Sequence, residues 1–313
     1  MFFLFAAAAE GESHGGGGHH EPIIVTFVNH YLGEPAYQFQ MQYTRPLMTK
    51  FFANFGTTPD ALYGELTPET AIPWYTIMFF IACLLTIAVV WIFKGKLSED
   101  EPSNGQLTLE AGVLAIRDML VSVVGPQGVK YFPVVATFAT LILISNLMGL
   151  FPLFMSPTAS TSVTFALGIS SFIYYNYIGI KENGLINHLA HWAGPIWWMA
   201  WLIFPIELIG NFIRPLSLGV RLFGNMFADE QVAMTVANLG AMVGLHPATT
   251  QFFIPVLLMP LALFVALIQT FVFTLLSMVY LGEVSHSHDE HEQAEATHHE
   301  EPYIEDAPIV APG

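Results

Sequence analysis

The sequence predicts an all-α membrane protein. About five helices are membrane-embedded, one amphipathic helix lies on the membrane surface, and the last two embedded helices are long and strongly tilted. Three observations carry the prediction. Of 313 residues, 54% are apolar and only 11% charged, so a water-soluble globule would leave too much apolar surface in solvent. Apolar runs of about 20 residues recur, the length needed to span a bilayer core. Two later runs reach about 30 residues, roughly 45–50 Å of helix against a hydrocarbon core of about 30 Å.

The elements follow in chain order. Residues 1–70 hold no apolar run long enough to span and read as an extramembranous N-terminal region that starts rich in Gly and His. The apolar stretch Met1–Ala9 lacks the basic residues of a secretion signal, which argues against cleavage. The first span covers about residues 72–93, with Trp74 and Tyr75 at one interface and Trp91, Lys94 and Lys96 at the other. Lys94, Lys96, Arg117 and Lys130 fall in the next segment, whereas the loop around Ser156-Pro157-Thr158 has no basic residue. Basic residues concentrate on the cytoplasmic side, so the N-terminus is expected outside and the C-terminus in the cytoplasm.

Within that basic segment, Leu107, Val113, Leu114, Leu120, Val123 and Val124 recur at helical spacing against Glu110, Arg117 and Asp118, the pattern of a helix lying along the membrane. Second and third spans are expected near residues 132–151 and 161–180. The long tilted helices are expected at about 195–240 and 251–282, giving a membrane domain over 71–282. Pro205, Pro215, Pro255 and Pro260 leave open the alternative of broken helices lining a cavity. Residues 283–313 form an acidic, His-rich cytoplasmic tail, which carries much of the net charge of −16. The lone Cys83 lies in an apolar run and offers neither a disulfide nor a thiolate metal site within one chain. The histidines of both tails lack metal-ligand spacing, and Trp192, Trp197, Trp198 and Trp201 read as an interfacial belt.

Between Gly184 and Gly282 the only formally charged residues are Glu207, Arg214, Arg221, Asp229 and Glu230. A charge near the bilayer centre costs about 2.5–3.5 kcal/mol on insertion scales, which makes each a functional candidate. Glu207, Arg214 and Arg221 recur every seven residues and drift only about 20° per step, so they share one helix face with Asn211 and Asn225. Glu230 falls about 180° from Arg221 and is expected to address a different compartment. Arginine stays protonated and acts only as a fixed charge, whereas a carboxylate can relay a proton. The adjacent Asp229 and Glu230 are expected to raise at least one carboxyl pKa. Arg214 reads as a plain ion-pair partner of Glu207, and Ser217 as a hydroxyl bonded to its own helix. Arg221 reads as functional, flanked by Gly219 and Gly224, which would let another helix approach. Gln269, with Thr270, Thr274 and Ser277 along one side, reads first as ordinary helix–helix hydrogen bonding.

The run from Arg214 to Glu230, RPLSLGVRLFGNMFADE, resembles the signature of subunit a of F-type ATP synthases. Ser145–Pro152 (SNLMGLFP), Phe204–Ile209 (FPIELI) and Ile268–Tyr280 (IQTFVFTLLSMVY) support it, so the resemblance covers roughly residues 70–282. It implies a proton-translocating stator subunit that provides two aqueous half-channels. Arg221 is then the essential arginine facing the carboxylates of a rotating c-ring, with Gln269 opposite it on the last helix. Asn225, Glu230 and Glu207 match half-channel positions. Ala262 stands where some members carry a histidine, and the Asp229-Glu230 pair is similar to chloroplast and cyanobacterial forms.

The implied partners are the c-ring, peripheral-stalk b subunits, other ATP synthase subunits and lipid, in a bacterial inner membrane. No nucleic acid, metal or cofactor is expected, and no phosphate-binding glycine loop is present for a nucleotide. The chain is expected to be a non-catalytic subunit. The competing reading is a stand-alone ion-coupled transporter or channel. An intramembrane hydrolase is disfavoured, since neither a Gly-x-Ser-x-Gly elbow nor a His-Glu-x-x-His helix occurs.

Overall fold

The computed structural model describes residues 23–53, 66–68, 70–151, 154–184, 197–242 and 247–299; for some helical residues, Glu230 among them, only the backbone is described. Among these residues every regular element is helical. The order is α1 (Ile23–Phe39), a π-helical turn (Gln40–Thr44), α2 (Arg45–Ala53), α3 (Trp74–Lys94), α4 (Asn104–Val124), α5 (Phe132–Met148), α6 (Thr161–Asn183), α7 (Ala200–Met242) and α8 (Pro247–His299). Five segments are long and apolar enough to cross a membrane: Trp74–Lys94, Pro126–Met148, Thr161–Glu182, Trp201–Asp229 and Val256–Val284.

The apolar segments fall at 74–94, 126–148, 161–182, 201–229 and 256–284, where the sequence reading expects 72–93, 132–151, 161–180, 195–240 and 251–282; the second begins in the short helix Pro126–Tyr131. The four prolines do not break the last two helices. Pro205 and Pro215 lie inside α7, and α8 runs unbroken from Pro247 to His299. At 43 and 53 residues, these helices are about 65 and 80 Å long, more than twice the hydrocarbon thickness. The cost of Pro215 is offset locally. Lacking an N–H, it leaves the Asn211 carbonyl without its helical donor, and the Tyr175 hydroxyl donates to Asn211 Oδ1 at 2.6 Å and to Asn211 O at 3.4 Å.

Side chains pack in three groups along the bundle. Near the start of α3, Ile77, Met78 and Ala82 bury against Met148 and Val25. Ile142, Val163, Leu167, Leu218, Leu222 and Phe273 join α5, α6, α7 and α8. At the far end, Leu120 and Val124 of α4 pack on Tyr131, Val135, Tyr175, Ile178, Met278 and Leu281. Lys130 Nζ and the Tyr131 hydroxyl both donate to Glu182 there. α4 is capped by Ser103, whose Oγ accepts the Gln106 N–H at 3.2 Å, and is stopped by Gly125 at φ 94°, a conformation that suits glycine.

α6 and α7 cross closely. A Cβ on Gly168 would lie 2.7 Å from Pro215 O, and one on Gly219 would lie 3.2 Å from Thr164 O. Gly219 therefore admits a neighbouring helix as expected, whereas a Cβ on Gly224 would meet nothing within 4 Å. The N-terminal region holds structure that apolar run length did not reveal. α1 is pinned to the start of α3: Asn29 Nδ2 donates to Ile72 O at 3.1 Å, and Gln40 Nε2 donates to Ala71 O at 2.8 Å. Trp198 and Trp201 are exposed, in keeping with a belt. Trp192 and the N-terminal tail histidines lie outside the described residues.

Candidate functional site

α7 carries the site on two sides. Leu218, Leu222 and Met226 are buried toward the bundle, while Ser217, Arg221, Gly224, Asn225 and Ala228 are exposed. The exposed positions recur every three or four residues and form one stripe, because 3.6 residues complete a turn. Apart from Arg221 and Asn225 the stripe is made of small side chains. Arg221 has no hydrogen-bond or ion-pair partner among the described residues, where Arg214, on the same helix, has two carboxylates.

Behind the stripe stands a buried amide. Gln269 of α8 is 1% exposed. Asn225 Nδ2 donates to Gln269 Oε1, while Gln269 Nε2 is buried without a hydrogen-bond partner among the described residues. The resemblance placed Gln269 opposite Arg221. In the structure its partner is Asn225, one turn further along α7. An unpartnered buried N–H donor in an apolar setting is costly and marks a place for water or another ligand atom.

A run of buried polar groups continues from Gln269. Next to it, Thr270 Oγ1 accepts from Asn146 Nδ2 at 3.4 Å and donates to Ala266 O at 2.8 Å. Thr158 Oγ1 donates to Asn146 Oδ1 at 2.6 Å, and Ser156 Oγ lies 2.7 Å from Thr158 Oγ1. Ser145, Ser160 and Thr161 are buried in the same region, and their hydroxyls have no partner among the described residues. Asn146 and Ser145 lie in the SNLMGLFP stretch that carried the resemblance, but no single-residue signal marked them as lining anything. Only the fold joins α5, the 156–161 turn and α8 into one polar core.

The other predicted residues are placed as follows. Arg214 Nη2 lies 3.3 Å from Glu207 Oε1, the expected pair, and 2.7 Å from Glu283 Oε1, which the sequence reading had assigned to the tail. The Arg214 guanidinium also sits over the Tyr280 ring, 5.4 Å from its centroid. Glu207 is not brought to Arg221. Ser217 is exposed and, contrary to expectation, bonds to no described group of its own helix. Asp229 is half-buried at the far end of the stripe, followed by Glu230, of which only the helical backbone is described. Ser171 Oγ and Ser277 Oγ lie 3.3 Å apart, and Asn211 Nδ2 donates to Asn176 Oδ1 at 3.4 Å, so a second polar patch sits between α6, α7 and α8.

Comparison with known proteins gives the family of the chain. The family model described as ATP synthase A chain matches residues 76–282, which contain every residue of the stripe and both polar regions. ATP synthase subunit a of Desulfosudis oleivorans is 43% identical over 230 residues, 73% of this chain and 95% of that protein. The Solibacter usitatus protein of the same name is 37% identical over 239 residues, 75% of this chain and 97% of that protein. A subunit a of Syntrophotalea carbinolica is 42% identical over 188 residues, 60% of this chain and 76% of that protein. Matched by the family model across about two thirds of its length and by two such relatives almost end to end, the chain belongs to the ATP synthase A chain family, the a subunits of F-type ATP synthases.

Proposed function

We propose that this proton-translocating subunit works as the stator half of a rotary motor, with Arg221 as a fixed charge between two proton paths. The single observation that carries the reading is Arg221 itself: a permanent cation within an apolar span, exposed on a stripe of small residues and unpartnered among the described residues. Such a charge calls for a counter-charge from another chain. A ring of c subunits, each presenting a carboxylate, supplies one. The stripe is flanked by exposed apolar side chains, Ile206, Ile209, Ile213 and Val220 on α7 and Leu257, Leu261, Phe264 and Ile268 on α8, a surface suited to sliding past apolar ring helices.

In this reading a proton enters through one aqueous half-channel and neutralises a ring carboxylate, which can then rotate into lipid. It leaves by the other half-channel when the carboxylate meets Arg221. Arg221 holds no proton to give and blocks a short circuit between the two paths. The hydroxyls and amides running from half-buried Ser156 through buried Thr158, Asn146, Thr270 and Gln269 to exposed Asn225 supply a route that water can occupy on one side. Asp229 stands at the end of the stripe and Glu230, the next residue, about half a turn of helix from Arg221, so the two carboxylates exchange protons on different sides of α7. Glu207, with Ser217, serves the opposite side. Each charge crossing 100 mV of potential yields about 2.3 kcal/mol, so several protons per turn supply rotary work. Peripheral-stalk b subunits would hold the chain against torque, in a bacterial inner membrane with the N-terminus outside and the C-terminus in the cytoplasm.

The test is recombination in detergent. The purified chain is expected to bind an isolated c-ring and to lose that binding when a bulky acidic residue replaces Gly224; failure of the unaltered chain to bind would favour a self-contained transporter. Glu230→Gln in the reconstituted complex is expected to slow proton conduction by at least tenfold, on the scale of a lost proton-transfer group. Unchanged conduction would make Glu230 structural.

A further inference from the structure

The ion pair between Arg214 and Glu283 lies outside the proton route just described, yet its position is informative. α7 and α8 touch through buried apolar side chains, Leu218 and Leu222 of α7 with Phe273 and the flanking Leu276 of α8. Apolar contacts between helices in lipid are weakly directional, because the lipid tails are as apolar as the partner helix. They leave the lengthwise register of two smooth helices poorly defined. Polar ties define it, and the described residues show two between these helices. One is Asn225 to Gln269 and the other is Arg214 to Glu283 at 2.7 Å. They bracket Arg221: Asn225 is four residues beyond it, about 6 Å of helix, and Arg214 seven residues before it, about 10 Å.

The Arg214 tie is built for position rather than for charge storage. Glu207 on its own helix approaches the guanidinium at 3.3 Å, and the Tyr280 ring, three residues before Glu283, lies beneath it. A planar guanidinium held by two carboxylates and a ring face has few alternative orientations. One turn before Arg214, Asn211 is itself held by Tyr175 of α6, so the anchored segment of α7 is tied to two other helices, α6 and α8.

We propose that Arg214 and Glu283 form a register lock: they fix α7 lengthwise against α8, so that Arg221 stands level with the gap between the two proton paths. Both are positioning residues, acting through Arg221, and the inference rests on the stator reading above. When the lock is lost, α7 shifts under load, Arg221 moves off its level, and protons pass between the paths without turning the ring.

The test uses the whole ATP synthase reconstituted in vesicles, with the amount of assembled complex measured for each variant. Glu283→Gln keeps shape and removes the charge. Its passive proton leak per complex is expected to rise about fivefold and its gradient-driven ATP synthesis per complex to fall about fivefold, the scale of a perturbed coupling network. The double exchange Arg214→Glu with Glu283→Arg keeps two carboxylates and one guanidinium at the site, and is expected to restore both quantities to within about twofold. Leak and synthesis per complex equal to the unaltered enzyme in Glu283→Gln would overturn the lock. So would a loss of assembled complex with normal coupling in what remains, or a double exchange no better than Arg214→Glu alone. Arg221→Ala serves as the control: if it stays coupled, the stator reading itself fails, whereas an uncoupled Arg221→Ala beside a normal Glu283→Gln removes only the lock.

Discussion

At the scale of single residues, two arginines of one helix have opposite surroundings. Arg214 and Arg221 are seven apart on one helix face. One is neutralised within the chain by Glu207 and Glu283, and the other faces outward without a partner among the described residues. The same contrast governs the amides. Gln269 is buried and keeps one protein hydrogen bond, from Asn225, so Asn225→Leu would leave the whole amide without a protein partner. The expected cost is about 1–3 kcal/mol, read as a lower thermal midpoint of the purified complex; an unchanged midpoint would mean that water already satisfies the amide.

The residue types were legible in the sequence, because charges in an apolar run declare themselves by cost. Glu207 as a partner of Arg214 was legible too, but partners on other helices were not. Asn225 and Gln269 are 44 residues apart and Arg214 and Glu283 are 69 apart, separations that no helical periodicity encodes. Glu283 was assigned to the acidic tail since nothing local distinguishes it from the carboxylates that follow.

At the scale of elements, the helices were legible where apolar run length decides and illegible where it does not. α3, α5, α6 and the two long helices followed from length and flanking charge. α1 contains Gly33 and Pro35, both poor helix formers, and is stabilised by tertiary ties to Ala71 and Ile72, so its sequence gave no sustained pattern. The prolines of α7 left two outcomes open; at Pro215 the Tyr175 hydroxyl, 3.4 Å from Asn211 O, gives the carbonyl that loses its helical donor a partner from another helix.

Two glycines of α7 give a direct test of which face does what. Gly219→Leu would drive a side chain into Thr164 and Phe165, contacts that start at about 3 Å for a bare Cβ, and is expected to cut the yield of folded protein sharply. Gly224→Leu meets open space within the chain. It is expected to leave yield unchanged and to reduce binding of the ring by tenfold or more, about 1.4 kcal/mol. Equal yields for both variants would contradict the α6–α7 crossing; undiminished ring binding in Gly224→Leu would place the rotor on another face.

At the scale of the whole molecule, a bundle of shorter helices supports two helices that are too long for it. α5 and α6, with α4 against α8, bury one side of α7 and α8 in shared apolar groups and in two polar patches, and the opposite side is exposed among the described residues. That division is the molecular logic of a stator: a fixed polar interior for ions, and an apolar outer surface for a moving partner. The composition announced a membrane protein and the charged residues announced ion handling, but which side of α7 stays open is set by Gly168 and Gly219 meeting across α6 and α7. That fact belongs to the pair and to neither residue alone.

The central claim is that Arg221 keeps two proton paths apart. Gradient-driven ATP synthesis and passive proton leak, measured together in vesicles holding the complex with Arg221→Ala, test it most directly. The account predicts that synthesis disappears while leak through the complex persists or rises; synthesis retained with an unchanged leak would contradict it.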